Sequence, residues 1–215
     1  MKNLGQKFTA ALTPGVRGIL ILQTIFYLAA SIGNLTSTFD LNLWLAASAP
    51  EFWHGQVWRI ISYALLPVGF MDFLMNTFAL VLLGSQLERH WTRGALWRFG
   101  LVAAAGAGFA QIFLSSLPMT GAAPVMFGLL VAWALVCGHE VALFPIFGQM
   151  RVRTMVLFFA AVSCAVMIFT GGWVRALVMV AGGITGGSYL WLRHKWLMSR
   201  ASRAVESSRI NRLEL

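Results

Sequence analysis

Between Phe99 and His139 the chain runs for 41 residues without one Asp, Glu, Lys or Arg. A helix rises about 1.5 Å per residue, so this run is close to two bilayer thicknesses. It is interrupted at Ser115-Ser116-Leu117-Pro118, with Gly121 just after. It therefore reads as two membrane spans, 99–116 and 122–138, joined by a turn. A second charge-free run covers the 22 residues Gly18–Phe39, enough for one more span. Further apolar stretches occupy 67–87, 154–170 and 174–192, the last two separated by Gly171-Gly172. Composition agrees: 11% of residues are charged and 59% hydrophobic, where a soluble domain carries about a quarter charged residues. The expected fold is an all-α polytopic membrane protein: a bundle of six transmembrane helices with a long outer loop between helices 1 and 2.

The organisation follows. Residues 1–17 form a cytoplasmic N-terminus, 18–192 the membrane domain, and 193–215 a basic cytoplasmic tail that is either a frayed helix or disordered. The outer loop, 40–66, carries Trp44, Trp53 and Trp58, rings that favour the headgroup region. Polar loops are expected at 88–98 and 140–153. The small-x-small triplet Ala47-Ser48-Ala49 lies well past the first apolar run and is followed by Pro50, so that run is read as a retained span rather than a cleaved signal. The net charge is +9. Fourteen of the 16 Lys and Arg fall on the side of the termini, and only Arg59 and Arg175 fall opposite. That asymmetry places both termini in the cytoplasm, as in a bacterial inner membrane, and makes lipid, not nucleic acid, the partner of the basic residues. Cys137 and Cys164 form no metal spacing and no disulfide framework. No metal and no cofactor is expected.

The chemistry concentrates in Trp58–Glu88. This stretch contains one acid within an apolar run, Asp72, with Asn76 a turn later. An ionisable group inside a span marks a functional site by default; the alternative is that Asp72 faces water near the membrane surface. In a low-dielectric site its pKa would rise, with Asn76 as its hydrogen-bond partner. In the last span Gly182 and Gly186, and Gly183 and Gly187, form two overlapping small-xxx-small pairs, which let a neighbouring helix approach closely.

Trp58-Arg59, Asp72-Phe73-Leu74-Met75-Asn76, Gly84 with Glu88, Gly121-Ala122-Ala123-Pro124 and Ala181–Gly187 occur in an order and spacing that resembles the rhomboid family of intramembrane serine proteases. The resemblance covers about residues 15–195. It implies a Trp-Arg pair in the first outer loop, a His-x-x-x-Asn segment at Asp72–Asn76, a Gly-x-Ser-Gly segment at Gly121–Pro124, and an Ala-His-x-x-Gly segment in the last span. It also implies serine acyl transfer: a serine attacks the peptide carbonyl, a histidine takes its proton, and a histidine–asparagine pair holds the oxyanion.

This chain departs from that set. Ala123 stands for the nucleophile, Gly183 for the base and Asp72 for the oxyanion histidine. Pro124 has no backbone N–H to donate. Asn76 alone is retained. His54 lies in the outer loop, and His90, His139 and His194 lie toward the cytoplasm, away from the outer ends of the spans. Ser115 and Ser116 lack a base, and an aspartyl mechanism needs two carboxylates.

The leading expectation is a pseudoprotease, resembling inactive rhomboids and derlins. It would bind transmembrane helices of client proteins through Asp72 and Asn76 and pass them to a membrane protease or chaperone partner. Trp58, Arg59, Glu88, Gly121, Gly182, Gly183, Gly186 and Gly187 are expected to be structural. Two alternatives stand: a rhomboid-type serine endopeptidase acting through an unrecognised arrangement, and a transporter using Asp72.

Overall fold

The computed structural model describes residues 13–36, 40–91, 93–144, 148–169 and 172–213. Lys2 and Lys7 of the N-terminal segment, Phe39 at the expected end of the first span, Pro145 in the 140–153 loop and Gly171 of the glycine turn lie outside them. The first long helix, α1 (Pro14–Thr36), is followed by short helices α2 (Leu41–Leu45), α3 (Ala49–Trp53) and α4 (Arg59–Ser62), then a 3-10 turn at Tyr63–Leu65. Helix α5 (Phe70–Ala79) continues through a π-turn, Leu80–Gly84, into α6 (Ser85–His90). Helices α7 (Arg93–Leu114), α8 (Ala123–Val136), α9 (Val152–Phe169) and α10 (Trp173–Leu213) complete the bundle. Strands β1 (Val141–Phe144) and β2 (Gly148–Arg151) pair antiparallel, Val141 opposite Arg151, between α8 and α9.

Among the described residues, four helical segments are long and apolar enough to cross a membrane: Pro14–Thr36, Phe70–His90, Gly94–Leu114 and Val152–Phe169. Their outward faces are apolar. On α1 the exposed residues Ile21, Ile25, Leu28, Ile32 and Leu35 recur every three or four positions and make one continuous stripe. An exposed stripe of that length is a surface for lipid tails. Helix α8 is shorter, 14 residues, and is the buried centre. It packs against α7, α9 and α10 through a core that includes Phe99, Ala103, Leu129, Ala132, Trp133 and Val156.

Several boundaries differ from the sequence reading. The first helix starts at Pro14, four residues before the charge-free run. The expected 88–98 loop shrinks to the two residues between His90 and Arg93, because α6 and α7 both extend through basic residues. The expected 140–153 loop contains the β1–β2 hairpin. The tail is helical to Leu213 as a continuation of α10.

The outer loop is held by its own polar groups. Arg59 is buried and donates from Nε to Gln56 Oε1 (2.7 Å) and from its terminal nitrogens to the carbonyls of Ala46 (3.1 Å) and Leu43 (2.5 Å). One guanidinium thereby ties the end of α2 to the start of α4. Trp58 is half exposed and donates from its indole nitrogen to the Trp44 carbonyl at 3.3 Å. Ala47 and Met119 exchange backbone hydrogen bonds of 2.9 Å each way, so this loop is stitched to the turn that precedes α8. Tyr63, fully buried, donates its hydroxyl to the Ala104 carbonyl of α7 at 3.1 Å.

Candidate functional site

The turn before α8 is the point where the motif residues meet. Gly121 has φ +108°, a backbone conformation that costs other residues a steric clash with Cβ. Its N–H donates to the Tyr63 carbonyl at 3.1 Å. Helix α8 then opens with Ala123 and with Pro124 in its first turn, where the missing N–H would have had no helical partner anyway. A Cβ built on Gly121 would lie 3.5 Å from Asp72 Oδ2, so Asp72 borders this turn.

Asp72 itself is partly buried in the first turn of α5, not mid-span. Its Oδ2 accepts the backbone N–H of Val68 at 3.0 Å. A carboxylate at a helix N-terminus, reaching back to a free N–H, is favoured by both the hydrogen bond and the helix dipole. The expected Asp72–Asn76 hydrogen bond is not formed: Asn76 is buried, and its Nδ2 has no partner. The physical reason is that Asp72 turns toward the open end of its helix, away from the next turn.

Across from α8, helix α10 approaches through glycines. A Cβ on Gly182 would stand 2.6 Å from the Pro124 carbonyl oxygen, and one on Gly186 2.7 Å from the Phe99 ring. A Cβ on Gly183 would meet two ring carbons of Phe127 at 3.1 Å and Val131 Cγ2 at 3.3 Å. Phe127 is one turn beyond Ala123 on α8. A Cβ at 183 would therefore press on Phe127 and Val131, which would have to give by a few tenths of an ångström. Gly187 is looser, with its nearest atoms at 3.9–4.0 Å.

At the far end of the α5–α6 segment, Glu88 is buried and accepts three hydrogen bonds: Gly15 N–H (2.7 Å), Val16 N–H (2.9 Å) and the Thr13 hydroxyl (2.5 Å). It caps α1. The two segments run antiparallel, with Val16 against Gly84 (a Cβ there would be 3.0 Å away) and Tyr27 stacked on Phe73 at 4.6 Å. That register sets Gln23 level with Thr77. Both side-chain polar atoms of Gln23 and the Thr77 hydroxyl are buried without a partner, as is the Ser85 hydroxyl. Gln23 also lines an apolar cavity of about 140 Å³ between α1, α7 and α8, with Leu80, Leu96, Val125 and Met126 among its walls.

A family model described as the Rhomboid domain matches residues 54–196. The chain belongs to the rhomboid family. It is an integral membrane protein. It is 29% identical over 108 residues to Rhomboid protease GluP of Bacillus subtilis (strain 168). That match covers 50% of this chain and 21% of the relative, so the chain spans about a fifth of the length of the curated relative it matches.

The residues that the sequence reading set against the family's motifs lie near one another: Asp72 borders the Gly121–Pro124 turn, and Gly182 and Gly183 face α8. Neither Ala123 nor Gly183 presents a group that can take a proton or attack a carbonyl. Asn76 is near in sequence but uncoupled from Asp72. Sequence reasoning missed Phe127 and Val131 as the residues that fill the Gly183 side, and Gln23 and Thr77 as buried polar groups. The α1 cap by Glu88 had one available signal: Thr13-Pro14, a pair that favours a helix start.

Proposed function

We propose that this chain is a rhomboid-family pseudoprotease that receives transmembrane helices of client membrane proteins. The supporting observation is at α8 and α10: by the family resemblance Ala123 and Gly183 take the places of nucleophile and base, and a Cβ at 183 would press on Phe127 at 3.1 Å and Val131 at 3.3 Å. The polar groups left inside the bundle suit recognition, not hydrolysis. Gln23, Asn76 and Thr77 keep unpartnered donors or acceptors along the α1–α5 seam. In lipid an unpaired polar atom gains from any partner, and a helix–helix hydrogen bond there is worth about 1 kcal/mol. With α1 and α5 parted to admit it, a client helix with a polar residue at that depth would supply it, and Asp72 would offer a carboxylate nearer the turn. On this reading the bundle has six spans, with α8 and the first half of α10 among them. Both termini face the cytoplasm of a bacterial inner membrane, and captured clients pass to a membrane protease or chaperone.

The test is cleavage of a fluorescent transmembrane substrate in proteoliposomes, alongside labelling by a fluorophosphonate, followed by site-specific crosslinking from position 23 or 77. The expected result is no cleavage, no labelling, and crosslinks to single-span proteins. Cleavage by the native chain would overturn the proposal and favour the protease reading that the relative's name suggests.

A further inference from the structure

At the end of the bundle away from Asp72, three side chains of different metal-ligating chemistry converge. His90 is in the last turn of α6, Cys137 follows α8 directly, and Glu140 ends the short turn after it. One ligand atom of each lies within 4.8 Å of the others. We propose that His90, Cys137 and Glu140 form a divalent transition-metal site, of the zinc class, that braces α6 against α8 and α9.

The site is held from behind. The Glu140 N–H donates to the Cys137 carbonyl at 2.9 Å, closing the Cys-x-x-Glu turn, and the Val152 N–H donates to the Glu140 carbonyl at 3.1 Å, fixing that turn to the start of α9. Cys137 is buried in the main core beside Val152, with its thiol free. His90 Nδ1 lies 3.0 Å from the Gln86 carbonyl. A hydrogen bond there assigns the proton to Nδ1 and leaves Nε2 as the lone-pair nitrogen, the arrangement in which metal-bound histidines are usually supported. Gln86 in turn accepts from Trp133 Nε1 at 2.8 Å, so the residue that orients His90 is itself fastened to α8.

The donor set selects the metal. A thiolate, an imidazole and a carboxylate suit zinc and disfavour calcium or magnesium, which prefer all-oxygen shells. Bond lengths of about 2.0–2.3 Å put tetrahedral ligand atoms roughly 3.3–3.8 Å apart, so closure needs a contraction of about 1 Å. His90 and Glu140 are exposed, and their side-chain rotation supplies it. Thiolate and carboxylate together match the charge of the ion, with the thiol proton released to water. The exposed side leaves a fourth position for water.

Cobalt(II) titration of the full-length protein in detergent, followed by competition with zinc, tests this. The expected result is one cobalt per chain with a thiolate-to-cobalt charge-transfer band that zinc abolishes. Cys137→Ser should lose the band, while Cys164→Ser should keep it. His90→Gln, on the exposed side where folding is not at stake, should weaken binding by about 10- to 100-fold or more. Absence of the band in the native chain, its survival in Cys137→Ser, or unchanged affinity in His90→Gln would overturn the site.

Discussion

Replacing Glu88 by alanine should loosen the first helix from the bundle. The wild-type carboxylate serves two backbone N–H groups in the first turn of α1 and the Thr13 hydroxyl. Those N–H groups have no helical acceptor. A buried donor left unsatisfied costs about 1–3 kcal/mol, and hydrogen bonds to a charged acceptor sit at the upper end. Two such donors give about 2–6 kcal/mol, and water entry at this end of the bundle trims the upper bound, so about 3–4 kcal/mol is expected for Glu88→Ala. Glu88→Gln keeps one acceptor oxygen and should cost roughly half as much. The assay is equilibrium unfolding in mixed micelles, read by helicity, with amide exchange at Gly15 and Val16 as the local probe. Gly15→Ala is the independent perturbation. Its Cβ would stand 2.6–2.8 Å from the Glu88 carboxylate, so it should expel the same group. The Gly15→Ala/Glu88→Ala double variant should then be clearly less than additive. A Glu88→Ala change within about 0.5 kcal/mol of the native chain, or full additivity in the double variant, would refute the capping argument.

Other outcomes are more local. Arg59→Lys should destabilise by about 2–4 kcal/mol and open the outer loop to limited proteolysis, because an ammonium cannot span Gln56, Ala46 and Leu43 as the fork does. Gly182→Ala should cost about 1–3 kcal/mol, since backbone must move to relieve the contact with the Pro124 carbonyl. Gly187→Ala, with nothing closer than 3.9 Å, should stay within about 0.5 kcal/mol of the native chain by the same unfolding assay. Gln23→Leu should raise stability by about 1–2 kcal/mol, because it removes buried atoms without partners. It should also weaken crosslinking to clients if the α1–α5 seam receives them.

Hydropathy and hydrogen bonding mark different boundaries, and the sequence displays only the first plainly. Apolar runs located the apolar parts of α1, α5–α6, α7, α8 and α9. They misplaced the ends because a helix does not stop where charge begins. Arg98 lies within α7, where a long side chain can reach the interface while the backbone stays helical. Thr13-Pro14 marks the start of α1 locally, but its cap comes from Glu88, 73 residues from Gly15, and that partner is not encoded by any local pattern. At the candidate site, motif order pointed to Asp72, the Gly121–Pro124 turn and Gly183, and the fold sets Asp72 beside Gly121 and Gly182 against Pro124. Mutual orientation was not legible: Asp72 reaches back to Val68 instead of forward to Asn76. Nor could spacing reveal His90 beside Cys137 and Glu140, since their approach depends on how α6 and α8 pack.

The residues that hold this fold are separate from those that would carry rhomboid chemistry. Arg59 fastens the outer loop, Glu88 caps α1, and Gly182 admits Pro124; none depends on a nucleophile at 123 or a base at 183. Glycine at 183 even favours the bundle, because α10 can press against Phe127 and Val131. Restoring the pair should therefore not restore the enzyme. In Ala123→Ser/Gly183→His the new Cβ would stand 3.1 Å from the Phe127 ring and 3.3 Å from Val131. Helix α10, or the Phe127 and Val131 side chains, must then give by a few tenths of an ångström, at about 1–3 kcal/mol. That crowding should hold the ring away from the serine it has to deprotonate, and, on the family resemblance, Asp72 offers a carboxylate where an oxyanion needs a donor. The double variant should be less stable than the native chain and unlabelled by a fluorophosphonate. Labelling of a stably folded double variant would mean that Phe127 and Val131 leave a histidine its place, and that the chemistry was lost at two side chains without the site having closed around them.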